Sequence, residues 1–136
     1  MRGPKIVFIG AGSTMFAKLL VCDIFSHPAL SNSTIVLEDI DEEKLELTYR
    51  LSSLILEKFR LNGIIMKATD QKKALKDADV VISMIAVGGN EAWEIDKNIP
   101  LKHGVDQIVG DTLGPGGIFR GLRFLGFVVV CIEATK

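Results

Sequence analysis

The stretch Lys5-Ile6-Val7-Phe8-Ile9-Gly10-Ala11-Gly12-Ser13 decides the fold of this chain. Its apolar run predicts a buried strand over Lys5–Ile9, and the glycines turn the chain into a helix predicted over Thr14–Phe25 with Ser13 as its cap. A strand that ends in glycines before a helix leaves backbone N–H groups unpaired at the positive end of the helix dipole. A diphosphate fits there without a basic side chain, and we expect the N-terminal residues of the helix, Thr14 included, to contact it.

Each glycine of this turn has a predicted purpose. Gly10 allows the tight turn, and Gly12 lets a pyrophosphate approach the backbone. The third glycine position of the usual dinucleotide pattern holds Met15. Because many strand-to-helix turns contain glycine for backbone reasons alone, the pattern gains its meaning from the strand that follows.

That second strand is predicted over Thr34–Glu38 and is followed by Asp39. In dinucleotide-binding folds an acidic residue at this point accepts hydrogen bonds from the adenosine ribose, and it disfavours the 2′-phosphate of NADP. Asp39 therefore predicts a preference for NAD. The alternative is that Asp39 and Asp41 only cap the next helix, and we expect Asp41 to do so.

Strand and helix signals alternate along the rest of the chain. This pattern predicts a single α/β domain over residues 1–136, a Rossmann-like, doubly wound parallel sheet in a truncated three-layer α/β/α arrangement. The remaining predicted elements are a helix over Glu42–Leu61 capped by Asn62-Gly63, a strand over Ile64–Ala68, a helical turn over Ala74–Lys76, a strand over Val80–Ile85, a helix over Glu91–Asn98 that ends before Pro100, and a last helix after Gly114-Pro115-Gly116-Gly117.

The strand that starts at Val80 leads into Ala86, Val87 and Gly88. The loops at the carboxyl ends of parallel strands line the cofactor crevice of such sheets, so we expect these three small residues to lie against the nicotinamide ribose. Alternatively, the same residues form a compact turn with Asn90 as the helix cap.

Composition narrows the class of protein. The 136 residues carry a net charge of −1 and are 48% hydrophobic, which does not suggest a nucleic-acid surface. Cys22 and Cys131 lie in apolar helical segments without metal-ligand spacing, which is typical of buried thiols in a reducing compartment. The N-terminus lacks the pattern of a signal peptide, and the apolar segment Phe124–Ile132 is too short to span a bilayer. We therefore expect a cytoplasmic protein without a membrane partner.

Four stretches resemble glycoside hydrolase family 4, the glycosidases that depend on NAD and a metal ion. The fourth stretch is the most discriminating, since the others also suit a lactate or malate dehydrogenase. They are Ile6–Thr14, Leu37–Asp41, Ala78–Ile82 and Gly110-Asp111-Thr112-Leu113-Gly114-Pro115-Gly116-Gly117-Ile118-Phe119-Arg120-Gly121-Leu122-Arg123. The resemblance covers about the first 123 residues and corresponds to the N-terminal portion of a family member.

The resemblance implies an unusual chemistry in the complete enzyme. Hydride leaves C3 of the sugar for NAD, a tyrosine removes the acidified C2 proton, the leaving group at C1 is eliminated, water adds and the hydride returns. Manganese polarises the sugar oxygens. The metal-binding cysteine and histidine and the tyrosine base of the family lie beyond the matched segment. Cys131, His27 and His103 do not occupy those positions, Tyr49 is expected to be a packing residue, and manganese is not expected to bind to this chain.

Two residues carry further expectations from the resemblance. Asp111 matches the acidic position that supports the catalytic tyrosine, although it also suits a helix cap. Family members that act on 6-phosphosugars carry an arginine in the helix after the fourth strand, and this chain has none there. Trp93 in that helix either stacks on a sugar or packs internally. The complete enzyme is therefore expected to hydrolyse unphosphorylated α-glycosides.

After Arg123 the chain departs from the family, since Phe124–Cys131 lacks the proline-containing turn that usually follows. The sequence thus predicts an NAD-binding domain of a family-4 glycosidase that is inactive alone. A fragment of a lactate- or malate-type dehydrogenase and a non-catalytic NAD-binding module stay open as alternatives. Because the predicted sheet ends with an open edge and an apolar last helix, we also expect a homo-oligomer.

Overall fold

The computed structural model describes residues 3–107 and 114–134. Its strands are β1 (Lys5–Ile9), β2 (Thr34–Glu38), β3 (Ile64–Ala68) and β4 (Val80–Ser83), and its α-helices are α1 (Thr14–Ser26), α2 (Glu42–Phe59), α3 (Gln71–Leu75), α4 (Gly89–Lys102) and α5 (Pro115–Ala134). A 3₁₀-helix covers Pro28–Leu30. The predicted bounds of the first three strands are confirmed, whereas β4 ends two residues earlier than predicted.

The four strands form one parallel sheet in the order β3-β2-β1-β4. In the register, Ile6 of β1 lies opposite Ile35 of β2 on one side and Val80 of β4 on the other. The strand order reverses at β1, which is the topological switch point where α/β sheets bind ligands. The predicted Rossmann-like parallel sheet is confirmed.

The chain forms two compact units. One unit contains the sheet and extends from Met1 to Ile85, and the other extends from Ala86 to Glu133. In the sheet unit, α1 and α2 cover one face through a buried cluster that includes Phe8, Leu37 and Val21. The alternate strand residues Val7 and Ile9 are also buried and point to the face that α3 covers. The beginning of α1 and the ends of β1 and β2 are therefore fixed by a tightly packed core.

The end of α2 differs from the prediction. Arg60 ends the helix in the left-handed conformation (φ 52°), and its N–H donates to carbonyls of the last turn. Gly63, predicted as part of the cap, is needed instead for packing, because a Cβ there would lie 1.9 Å from Cε1 of Phe25. A role for Gly63 near this helix end was correctly predicted. The residue is required, however, because it packs against the Phe25 ring of α1.

In the second unit, α4 runs through Pro100 instead of ending before it. A proline has no N–H, so the carbonyl four residues earlier, that of Asp96, loses its helical donor. Gln107 supplies a replacement, since its Nε2 donates to that carbonyl at 3.0 Å. The helix continues because a side chain from beyond its end satisfies the freed acceptor.

The predicted last helix is present as α5, but it begins at Pro115, inside the glycine turn that was expected to precede it. Its 19-residue segment Pro115–Glu133 contains an 18-residue stretch with a mean hydropathy of 1.5, enough by length and composition alone for a membrane span. The length argument against a span, made on Phe124–Ile132, is therefore wrong, because the apolar helix begins nine residues earlier. Length and composition are weak indications and do not place the helix in a membrane.

Candidate functional site

The glycine turn joins the carboxyl ends of β1 and β2. Gly10 has a φ of +83°, and the N–H groups of Gly10 and Ala11 both donate to the carbonyl of Glu38 at 2.9 Å. A Cβ on Gly10 would lie 2.6 Å from Cγ2 of Ile85. The backbone conformation and the close approach of Ile85 both require glycine at this position.

Asp39 closes the turn from the other side. One carboxylate oxygen accepts the N–H of Gly12 at 2.7 Å, and the other accepts the N–H of Asp41 at 2.9 Å. A Cβ on Gly12 would lie 2.7 Å from Oδ2 of Asp39 and 3.1 Å from Cβ of Lys44. The structure thus brings Gly12 and Asp39 together, and it shows a reason for the glycine that the sequence pattern did not reveal.

The start of α1 is available to an anion. Ser13 occupies the N-cap position, but its side chain makes no capping hydrogen bond, and the first turn contains no acidic residue. The Thr14 hydroxyl lies 3.0 Å from that of Thr48 and 3.4 Å from the carbonyl of Gly12. Within the described residues, the N-terminal N–H groups of α1 thus lack a capping side chain at Ser13, which leaves the positive end of the helix dipole available to an anion.

Glu38 is a titratable residue that the sequence analysis did not single out. It ends β2, is only 4% exposed, and lies close to Asp39 and Asp70. Burial, and secondarily the negative charges of Asp39 and Asp70, raise the pKa of Glu38 to about 7. The sequence contained one indication that Glu38 is buried. Alternation along Thr34–Glu38 places Glu38 on the same face as the buried Val36.

Asp41 caps α2, as predicted. Its Oδ1 accepts the N–H of Lys44 at 3.1 Å, and its Oδ2 pairs with Nζ of Lys44 at 2.7 Å. The bonds from the Lys44 side chain and then from its backbone hold the pKa of this exposed carboxyl below its usual range. Asp39 and Asp41 thus have different partners: Asp39 binds the glycine turn and Asp41 binds the helix.

Ala86, Val87 and Gly88 begin the second unit. Gly88 is the N-cap of α4 with a φ of +86°, and a Cβ on it would lie 2.5 Å from Cβ of Ala92. The alternative in which Asn90 caps the helix is wrong, because α4 begins at Gly89 and Asn90 lies within its first turn. The positive φ of Gly88 turns the chain directly into the helix, so no side-chain cap is needed.

A small cavity of about 150 Å³ opens next to this turn within the second unit. Trp93 lines it, is 40% exposed, and has Nζ of Lys97 at 5.5 Å from its ring centroid. The Trp93 ring is thus available to a ligand and is not sealed in a core. The full lining is Ala86, Val87, Gly89, Asn90, Trp93, Asp96, Arg120 and Arg123.

An ion pair that the sequence analysis missed connects α4 with α5. Asp96 is 2% exposed, and both of its carboxylate oxygens pair with the Arg123 guanidinium, one of them with Nη1 at 2.9 Å. The hydrogen bond to Asp96 raises the pKa of Arg123 further. Nothing in the local sequence predicts this pair, because its members are 27 residues apart.

The other predicted residues do not form a site within the described part of the chain. Tyr49 packs against the core, which confirms its predicted role. Cys131 is buried and Cys22 is half-buried, and the described structure places neither in a disulfide. Among residues 3–107 and 114–134, no three His, Cys, Asp or Glu side chains gather as a metal site would require. Asp111 lies outside the described residues.

Comparison with known proteins decides the family. The model of the family 4 glycosyl hydrolases matches residues 5–135 of the chain. The chain belongs to glycosyl hydrolase family 4. This membership removes the lactate- or malate-dehydrogenase alternative and confirms the resemblance carried by Gly110–Arg123.

Individual family 4 proteins cover almost the whole chain. It is 44% identical to an α-galactosidase of Rhizobium meliloti over 90% of its length and 40% identical to an α-glucosidase of Erwinia rhapontici over 96%. A solved 6-phospho-β-glucosidase of Thermotoga maritima, with manganese, NAD+ and glucose-6-phosphate, superimposes with a TM-score of 0.77 at 27% identity over 96% of the chain.

The match is to one part of these family 4 proteins only. The chain spans 25% of the Rhizobium protein, 29% of the Erwinia protein and 31% of the Thermotoga structure. What is shown is therefore the N-terminal, Rossmann-like region of a family 4 glycosidase. The activity of the complete proteins does not pass to this chain by similarity alone.

Proposed function

We propose that this chain is the NAD-binding region of a family 4 glycosidase, and that alone it binds NAD without hydrolysing glycosides. The contact between the Asp39 carboxylate and the N–H of Gly12 at 2.7 Å carries this proposal. It joins the acidic residue after β2 to the glycine turn after β1, the two elements that a dinucleotide-binding sheet uses.

We propose a part of the cofactor for each of these residues. Each Asp39 oxygen accepts one protein N–H and retains a second lone pair, which accepts a ribose hydroxyl. The pyrophosphate lies at the start of α1, next to the backbone of Gly10, Gly12, Ser13 and Thr14. The absence of a Cβ on Gly12 and of a capping side chain on α1 fits this ligand.

Ala86, Val87 and Gly88 would lie beside the nicotinamide ribose, as the position of this turn after β4 suggests. When bound, NAD supplies the hydride acceptor for the oxidation of the sugar at C3. The residues of this chain contribute binding and orientation. The carboxylate of Asp39, placed after β2, disfavours the additional phosphate of NADP.

The substrate of the complete enzyme is proposed to be an unphosphorylated α-glycoside, cleaved by C3 oxidation and elimination. The helix α4, Gly89–Lys102, contains no arginine for a 6-phosphate, and Trp93 lines the cavity next to its start. Relatives named α-galactosidase and α-glucosidase support this class. Manganese and the tyrosine base belong to the complete enzyme, with Asp111 in a supporting role, and we propose a cytoplasmic location.

Calorimetry of the purified chain tests the cofactor. NAD is expected to bind more tightly than NADP, and Asp39→Ala is expected to weaken NAD about tenfold and to reduce the preference, because the ribose loses a charged acceptor. Asp41→Ala is the matched control, since it removes a carboxylate two residues away that caps α2. Equal affinity for NAD and NADP in the unmutated chain would contradict the ribose assignment.

An activity assay tests the second part of the proposal. The chain is expected not to hydrolyse nitrophenyl α-galactoside or a galacturonide in the presence of NAD, manganese and a reductant. Turnover above a buffer blank that survives purification and disappears in Asp39→Ala would show that this segment is catalytic alone. NAD binding without turnover also suits a non-catalytic module. Joining the chain to the remainder of a relative distinguishes the two, because recovered turnover would exclude the non-catalytic module.

A further inference from the structure

Two threonine hydroxyls meet where the start of α1 packs against α2. Thr14 is the first residue of α1, and its Oγ1 lies 3.0 Å from Oγ1 of Thr48 on α2. Thr14 is half-buried, whereas Thr48 is 0% exposed. The Thr14 hydroxyl therefore belongs to the helix end at which we place the diphosphate, and the Thr48 hydroxyl belongs to the core next to it.

The two hydroxyls have only one hydrogen each to donate, together with lone pairs that accept. Oγ1 of Thr48 lies 3.1 Å from the carbonyl oxygen of Lys44, and Oγ1 of Thr14 lies 3.4 Å from that of Gly12. The hydrogens therefore have two arrangements. In the first, Thr14 donates to Thr48 and Thr48 donates to Lys44, which uses the two shorter contacts. In the second, Thr48 donates to Thr14, and the hydrogen of Thr14 is directed elsewhere.

A diphosphate at the start of α1 selects the second arrangement. Its oxygens accept hydrogen bonds, so the Thr14 hydroxyl binds it as a donor. Thr48 then gives its hydrogen to Thr14, which keeps the bond between the two hydroxyls and reverses its direction. The carbonyl of Lys44 keeps the backbone N–H of Thr48 as its helical donor, so this exchange leaves no buried group unpaired.

We propose that Thr48 is a positioning residue for the cofactor, whose buried hydroxyl reverses its hydrogen bond and holds Thr14 as a donor to the diphosphate of NAD. This inference rests on the proposed NAD site and adds to it a residue that does not itself touch the ligand. Thr48 fixes the χ1 rotamer of Thr14, because threonine has two accessible rotamers in a helix. It also supplies a hydrogen bond that polarises the Thr14 hydroxyl while that hydroxyl donates to the ligand.

Ser52 provides a comparison within the same helix. It lies one helical turn after Thr48 on the same face of α2 and is likewise 0% exposed. Its Oγ, however, has no hydrogen-bond partner among the described residues. Burial on this face thus does not by itself connect a hydroxyl to the start of α1. The 3.0 Å contact with Thr14 distinguishes Thr48 from Ser52.

Calorimetric titration of the purified chain with NAD tests the proposal. Thr48→Val removes the hydroxyl but keeps the shape of the side chain, and it is expected to weaken NAD binding about fivefold, the effect of one hydrogen bond. Thr48→Ser keeps the hydroxyl and is expected to restore the affinity of the unmutated chain. Ser52→Ala is the matched control and is expected to leave the affinity unchanged. Circular dichroism verifies folding, and Thr48→Ala takes the place of Thr48→Val if valine unfolds the chain.

A double-mutant cycle separates positioning from a merely structural role. Thr14→Val is expected to weaken NAD binding about tenfold, because a hydrogen bond to a charged phosphate is lost. Adding Thr48→Val to Thr14→Val is expected to cause no further loss, since Thr48 acts only through Thr14. Losses that multiply in the double variant overturn the proposal.

The titration also separates this inference from the proposed function. If the unmutated chain does not bind NAD, the cofactor site is contradicted and the role of Thr48 is overturned with it. If the unmutated chain binds NAD and folded Thr48→Val binds it equally well, the cofactor site stands and only the role of Thr48 is overturned.

Discussion

The glycine turn and helix α5 differ in how far the rest of the chain pairs or covers their groups. In the turn, the N–H groups of Gly10 and Ala11 bind the carbonyl of Glu38, and that of Gly12 binds Asp39. The strands that hold the turn are almost completely buried. Helix α5 instead exposes apolar side chains along its outward face. The backbone groups of the glycine turn are paired within the chain and only the start of α1 is open, which suits a small ligand. The exposed apolar surface of α5 suits a macromolecular partner instead.

The same substitution, glycine to alanine, tests this comparison in both regions. Gly10→Ala is expected to lower the free energy of unfolding by about 4 kcal/mol, since the left-handed conformation costs an L-residue about 1–2 kcal/mol and overpacking against Ile85 adds about 1–3 kcal/mol. Gly121→Ala is expected to raise it by about 1 kcal/mol, because a helical site with open space favours alanine. Urea denaturation followed by circular dichroism measures both changes. The same sign at the two sites would refute the contrast.

The second prediction concerns the ion pair that joins α4 and α5. Arg123→Ala leaves the buried Asp96 carboxylate without its partner. The free energy of unfolding of the second unit is therefore expected to fall by about 3 kcal/mol. Trp93 is the single tryptophan, and its fluorescence reports unfolding of this unit. Lys44→Ala, which breaks an exposed pair with Asp41, serves as control and is expected to change stability much less than Arg123→Ala. Equal effects of the two substitutions would mean that Asp96 is not held by Arg123.

The third prediction concerns Glu38 beside the glycine turn. Its pKa of about 7 in the folded chain exceeds the usual 4.5, so the folded state holds the proton more tightly than the unfolded state. The resulting stabilisation is complete below about pH 4.5 and is lost as the pH rises through about 7. As the pH rises from 5.5 to 8, deprotonation of Glu38 is expected to lower the free energy of unfolding by about 2 kcal/mol.

Glu38→Gln isolates the contribution of this carboxyl. The variant is expected to lose this part of the pH dependence and to be more stable than the unmutated chain at pH 8, as urea denaturation at each pH would measure. Glu57→Gln, at an exposed position of α2, is the control for the change in charge. A pH dependence that is unchanged in Glu38→Gln would show that other groups carry it.

The sheet unit was largely predictable from the sequence, because its signals are local. The apolar runs that form β1, β2 and β3 are bounded by glycine or polar residues, and their bounds match the structure. The glycine turn and Asp39 were likewise recognised as a candidate site. What the local pattern did not contain was the direct bond between Asp39 and Gly12, which depends on β1 and β2 being neighbours in the sheet.

The second unit was less predictable, because its determinants are distant in sequence. Pro100 predicts the end of α4, yet Gln107 replaces the missing donor and the helix continues. Asp96 and Arg123 find each other only after the chain has folded back. Glu38 was overlooked because its raised pKa follows from burial and from Asp70, which approaches it only in the folded chain.

A titration of the isotope-labelled chain with NAD, followed by amide NMR, tests the assignment of the glycine turn most directly. The largest shifts are expected at the amides of Gly12, Ser13 and Thr14 and at Asp39, with further shifts near Gly88 and none along helix α5. Saturation with NAD without shifts at Gly12 and Asp39, or shifts confined to helix α5, would contradict a cofactor site at the end of β1.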